Sequence, residues 1–134
     1  MIIPATRYRD PEAALAFLTG ALGFREHAVY RDADGTILHA QLAMGDGIFM
    51  FGPEDRATPF GRHMVSPGQA GGETTSTYVV VGNVAGHHAR AAAAGAEIIL
   101  PLEEQPYGGQ SYSVRDPEGH LFTFGDYHPS ADHG

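Results

Sequence analysis

The sequence predicts an α+β protein: two tandem βαβββ modules whose mixed sheets curve around a cavity. Three observations carry that prediction. Strand-like segments of alternating polarity give way twice to helical spacing, each time just after a helix-capping residue, Asp10 and then Asn83. Marker residues recur at a fixed interval. Asp10 and Asn83, Phe51 and Phe124, and Gly52 and Gly125 each lie 73 positions apart, while Gly23 and Gly95, and Gly47 and Gly119, lie 72 apart. Between the copies, 53–75 is rich in Pro and Gly and has little periodicity, so it reads as a long connection. The expected organisation is one domain: module one at 1–52, the connection at 53–75, module two at 76–127 and a tail at 128–134.

Each element has a local reason. Ile2 to Arg9 reads as a short strand. Asp10-Pro11-Glu12 then opens a helix, with a cap, a proline at the first helical position and an acid at the positive end of the dipole. Ala14, Phe17, Leu18, Ala21 and Leu22 share one face, and Gly23 supplies the stop. Strands follow at 25–31, 36–44 and 48–51, separated by the turns Asp32-Ala33-Asp34-Gly35 and Gly45-Asp46-Gly47. In the second copy, a strand at 76–81 leads to a helix from Val84 to Ala94, stopped by Gly95. Strands at 97–102, 110–115 and 120–126 complete it, the last two joined by Asp116-Pro117-Glu118-Gly119.

Each module must bury one sheet face under its own helix, and the remaining faces are free to enclose a ligand. Alternation assigns the faces. Leu38, Ala40, Leu42 and Met44 are expected under the helix, with Tyr112, Val114, Phe122 and Phe124. Ile3, Ala5, Arg7, Ile37, His39, Gln41, Ile48, Met50, Ser76, Tyr78, Val80, Ser111, Ser113, Arg115, Leu121 and Thr123 are expected to face the cavity.

Composition excludes several functions. The 134 residues carry 16 acidic and 8 basic side chains, a formal net charge of −8. That disfavours nucleic acid, which needs clustered cations. No apolar run reaches the ~20 residues of a membrane span, and the N-terminus lacks the pattern of a secretion signal. There is no cysteine, hence no disulfide and no thiolate chemistry. The expected location is the cytoplasm.

The stretch Arg9-Asp10-Pro11-Glu12-Ala13-Ala14-Leu15-Ala16-Phe17, the following Leu22-Gly23-Phe24, and Arg115-Asp116-Pro117-Glu118-Gly119-His120 sit within this paired pattern. Ala94-Gly95-Ala96-Glu97-Ile98 and Pro106-Tyr107-Gly108 fit it too. Together they resemble the vicinal oxygen chelate superfamily of glyoxalase I, the extradiol dioxygenases and the bleomycin-resistance proteins. The resemblance implies four metal-ligand positions, in the first and last strands of each half. They map to Ile3, Met50, Ser76 and Thr123. None is His, Gln, Glu or Asp, and a thioether and hydroxyls are poor donors for the cations such enzymes use. The resemblance therefore points to the metal-free, bleomycin-resistance-like branch, whose members bind an antibiotic.

Among candidate site residues, Tyr78 and Tyr107 can stack on a planar ligand. His39 and Gln41 can orient it by hydrogen bonds, and Met50, Ser76, Ser113 and Thr123 complete the lining. Arg7 and Arg115 must either pair with an acid such as Glu103 or Glu104, or meet an anionic group. His87 and His88, adjacent on a helix, read as a solvated face; His120 reads as pointing away from the pocket. His63, His128 and His133 lie in loop or tail. No catalytic set can be read from spacing.

The expected function is metal-independent binding of an aromatic or planar antibiotic-like molecule, such as a DNA-directed antibiotic, with no cofactor. The expected assembly is a homodimer, and the connection is long enough for the modules to be exchanged between chains. The alternatives are a glyoxalase-type lyase or dioxygenase with a divalent metal at a site not recognised, and a metal-free lyase or isomerase with Tyr or His as base.

Overall fold

A computed structural model describes residues 1–129; of the expected tail, 130–134 with His133 lie outside the described residues. The elements are β1 (Ala5–Tyr8), α1 (Pro11–Gly20), β2 (Arg25–Arg31), β3 (Ile37–Met44), β4 (Gly47–Pro53), α2 (Pro67–Ala70), β5 (Thr77–Val80), α3 (Val84–Ala93), β6 (Glu97–Glu104), β7 (Gln110–Arg115) and β8 (Leu121–Gly125). They form two four-stranded mixed sheets, β1-β4-β3-β2 and β5-β8-β7-β6. In each, the strand before the helix pairs in parallel with the last strand of the copy, and the other pairings are antiparallel. The α+β repeat read from the sequence is the observed architecture. Among the described residues no helix is long and apolar enough to cross a membrane.

The helices begin where their caps predict. The Asp10 carboxylate accepts from Ala13 N at 3.1 Å and the Asn83 amide oxygen from Gly86 N at 3.0 Å, each contact worth about 1 kcal/mol. Gly86 is required by its cap, since a Cβ there would lie 2.5 Å from the Asn83 side chain. Gly23 and Gly95 end the helices at φ +75° and +83°.

The two inner sheet faces share one core. Phe49 on β4 and Phe122 on β8 meet edge to face at 5.3 Å, and Phe24 reaches both Phe122 and Phe124. Leu15, Leu18 and Leu22 of the first copy and Val84 and Ala91 of the second close this core from the helix side. Phe17, expected in the apolar stripe, is only half-buried, and Leu15 is buried instead.

Some expectations need correction. Ile37, expected outside, is 1% exposed, and Leu38, expected in the core, is 52% exposed. A register shift causes this: Tyr30 pairs with His39 but Arg31 with Ile37, so Leu38 is the bulged residue and alternation reverses beyond it. The first strand starts at Ala5, not Ile2, and β6 runs on to Glu104. The connection contains a 3₁₀ turn, Gly61–His63, and the short α2, capped by Ser66.

Polar contacts fasten one copy to the other. Tyr8 donates to the Asp116 carboxylate at 2.6 Å, and Asp116 also accepts from the backbone of Glu118 and His120. Burial drives the Asp116 carboxyl upward in pKa; the bonds from Tyr8 and the turn oppose that shift. His120, read as pointing away from the pocket, is buried in the contact between the two repeats. Its Nε2 donates to Arg7 O at 3.0 Å and its Nδ1 lies 2.7 Å from the Glu73 carboxylate. Glu118 accepts from the backbone of Arg9 and Asp10. Asp-Pro-Glu-Gly-His is thus a clasp onto β1 and the start of α1. His87, read as solvated, donates from Nε2 to Leu22 O and accepts from the Tyr112 hydroxyl at Nδ1. Arg90 covers the end carbonyls of α1 at Thr19 and Gly20.

Two outcomes follow for stability. Tyr8→Phe leaves the buried Asp116 oxygen short of a donor and costs roughly 1–3 kcal/mol in urea unfolding. Burial lowers the His87 pKa below its ordinary 6.5. Its contribution is therefore complete above pH 6.5 and is lost as pH falls through that value toward the folded pKa. Melting temperature between pH 8 and 5 should fall more steeply in the wild type than in His87→Gln.

Candidate functional site

With the inner faces packed together, the outer faces carry the side chains that alternation turns away from the core. Ser111 and Ser113 of the second sheet, expected to line a cavity, are nevertheless only 5% exposed there. On the first sheet the register builds a row of Ala28, Gln41, Met50 and Ala5. Beyond it, past the Ala40–Phe51 pair, Tyr30 pairs with His39 toward one edge of the sheet and Gly52 with Arg7 toward the other. The Gln41 amide donates to His39 Nε2 at 3.2 Å, and the Tyr30 and His39 rings lie 5.9 Å apart. Arg7 leans over Gly52, with one long contact from Nη1 to Pro53 O at 3.5 Å and its Cζ 5.5 Å from the Phe60 ring centroid.

The second sheet repeats the plan with different chemistry. Tyr78, Thr123, Ser113 and Leu100 form one row, and Val80, Gly125, Ser111 and Glu103 the next. Ser113 and Thr123 share a 2.7 Å hydrogen bond. The Tyr78 ring lies across Gly125, where a Cβ would sit 2.6 Å from its hydroxyl. That hydroxyl donates to Tyr127 O at 2.7 Å, and burial raises its pKa. Tyr107 packs edge to face on Tyr127 at 5.1 Å. Tyr78, Tyr107, Tyr127 and Pro129 line a shallow apolar hollow of about 370 Å³.

The ten expected lining residues are thus distributed over two faces. Arg7, His39, Gln41 and Met50 gather on the first sheet; Ser76, Tyr78, Ser113, Arg115 and Thr123 are on the second, with Tyr107 at its end. Within one chain the two sets do not meet across a cavity, because the core separates them. Arg115 pairs with Glu97, not with Glu103 or Glu104, because the β6–β7 register sets Glu97 opposite Arg115 and Glu103 opposite Ser111. Arg7 has no carboxylate partner among the described residues. Sequence reasoning missed Phe60, Tyr30 and Tyr127. Phe60 sits in an aperiodic segment and offers no signal; Tyr30 alternates with the half-buried Val29 and could have been assigned from that.

The positions that the family resemblance gives to metal ligands do not fit a cation. Met50 lies between Ala5 and Gln41, and Thr123 is bonded to Ser113. Among the described residues no three His, Asp or Glu side chains come together in a way that could hold an ion. The side chains at these positions do not suit a divalent metal.

Comparison with known proteins places this geometry. The sequence model of the Glyoxalase/Bleomycin resistance protein/Dioxygenase superfamily matches residues 4–124. The crystal structure of TioX from Micromonospora sp. ML1 is similar at a TM-score of 0.70 and 37% identity, over 92% of this chain and 95% of TioX. The bleomycin-binding protein of Streptomyces verticillus, solved with copper(II)-bleomycin, is similar in fold at 0.64 and 20% identity, over 95% of each chain. Rv0887c of Mycobacterium tuberculosis is 28% identical over 116 residues, 87% of this chain and 68% of that protein.

The Tyr78 hydroxyl is the tie that holds the segment after β8. Tyr78→Phe should speed amide exchange at Tyr127 and His128 while leaving the β7–β8 amides unchanged.

Proposed function

Because the chain belongs to the Glyoxalase/Bleomycin resistance protein/Dioxygenase superfamily, we propose that it is a metal-independent binding protein for a planar or aromatic antibiotic-like molecule, held in a cavity completed by a second copy. The observation that carries this reading is the split of the lining residues. One outer face offers Arg7, His39, Gln41 and Met50, the other Tyr78, Ser113 and Thr123, and each leaves apolar surface open: Leu38, Tyr78, Val80 and Leu100 are 37–56% exposed. Large exposed apolar side chains gathered on a sheet face are the mark of a partner or ligand surface. Two copies that set the first sheet of one against the second sheet of the other cover both faces at once and bring the two residue sets together, twice per dimer. The connection between modules one (1–52) and two (76–127) is the hinge over which such an exchange would turn.

Chemically, the joint cavity suits binding better than turnover. Its hydroxyls and amide orient a ligand, and its rings and aliphatic chains stack on it. His39 is engaged by Gln41, and His87 and His120 are held in the core contacts between copies. No imidazole of these three is placed as a general base on the outer faces. The S. verticillus protein holds copper(II)-bleomycin on the same fold, which supports the class of ligand but not its identity.

Three measurements on tag-free protein test the reading. Sedimentation should give a dimer. Metal analysis after dialysis should find no stoichiometric Ni, Zn, Fe or Mn. A panel of DNA-directed antibiotics and aromatic acids should contain at least one compound that raises the melting temperature in a concentration-dependent way. A retained stoichiometric metal, or turnover of a hemithioacetal or a catechol, would replace binding by the enzymatic alternative.

A further inference from the structure

We infer that the outer face of the first sheet holds an anion-recognition point made by Arg7, Gly52 and Phe60, and that the ligand presents a carboxylate or other anionic oxygen to it. The inference rests on the binding reading above and adds to it the charge class of the ligand.

The eight cationic side chains are all arginines, and their environments differ. Arg9, Arg31 and Arg115 face Glu54, Glu12 and Glu97. Arg56 and Arg90 donate to backbone carbonyls, and Arg25 and Arg62 are exposed to water. Arg7 alone is half-buried. It has no carboxylate within 4 Å among the described residues, and one long carbonyl contact stands against five N–H donors. A guanidinium partly removed from water without an anion is unfavourable unless something completes its fork.

The surroundings hold that fork in place. Gly52 is the cross-strand partner of Arg7, and a Cβ there would come within 3.2 Å of both Arg7 Nη1 and Leu38 O. The missing side chain is what lets the guanidinium lie on the strand. Phe60, 66% exposed, covers it from the connection, and Arg56 fixes that segment by donating to the carbonyls of Arg62 and Met64. An exposed phenyl ring over a cation stiffens the fork and lowers its hydration. His39 stands on the same sheet face. Its Nε2 accepts from the Gln41 amide, which leaves Nδ1 without a hydrogen-bond partner among the described residues. Planar donors in this arrangement match a carboxylate, and they repel an ammonium. The protein as a whole carries −8, so selection for an anion here is local and short-ranged.

The test compares three probes of one shape on the full chain by calorimetry: 2-naphthoate, 2-naphthamide and 2-naphthylmethylammonium. Naphthoate should bind about tenfold more tightly than the amide, the margin of a charge-assisted over a neutral hydrogen bond, with the ammonium weakest. Arg7→Gln should bring naphthoate down to the affinity of the amide. Gly52→Ala, which displaces the guanidinium without removing it, should shrink the preference in the same direction and decides the matter if Arg7→Gln does not fold. Arg25→Gln, an exposed change on β2, should keep the preference. Equal binding of naphthoate and amide by the wild type, a preference for the ammonium, or a preference that survives in both Arg7→Gln and Gly52→Ala overturns the anion point and leaves the binding reading standing. Binding of none of the three up to their solubility overturns the anion point, while the binding reading is decided by the antibiotic panel.

Discussion

The contact between Phe49 and Phe122 is the constraint on which the rest of the molecule depends. These residues are 73 positions apart, equivalent in the repeat, and they meet at 5.3 Å. Their meeting commits the inner face of each sheet to the other copy, with α1 and α3 closing the sides. A four-stranded sheet has two faces, so what remains for function is whatever alternation sends outward. Tyr8, Asp116, His120 and Glu73 fix the angle of that docking with directional bonds, which an apolar contact alone would leave loose.

Much of this was legible in the residues. Asp10-Pro11-Glu12, Asn83 and the helix-ending glycines wrote the helices plainly, because caps and stops are local chemistry. The repeat interval located the equivalent strands of the two halves. Less legible was anything that depends on which strand neighbours which. Leu38 leaves the core only because β3 bulges against β2, and Arg115 meets Glu97 only because β6 has its particular register. His87 and His120 have the flanking sequence of surface residues. They are held inward by carbonyls of Leu22 and Arg7, more than 60 positions away in the chain. No window of sequence contains both ends of such a contact.

The candidate site shows the same division. Alternation puts Arg7, His39, Gln41, Met50, Tyr78, Ser113 and Thr123 on the sheet faces away from the core and holds wherever no bulge intervenes. It could not show that those faces do not enclose a cavity within one chain, or that Ser113 is buried. Phe60 could not be assigned that way, since it reaches the sheet from an aperiodic segment. The absence of metal-ligating side chains at Ile3, Met50, Ser76 and Thr123 needed no structure at all, because it is a matter of which atoms are present.

The two repeat glycines are built alike and used differently. Over Gly52 lies a guanidinium, and over Gly125 a phenol. A molecule lodged between a first sheet and a second sheet would touch a cationic end and a neutral aromatic end, although both walls descend from one plan. Such a groove would have a direction, and a guest with two identical ends would leave one of them mismatched.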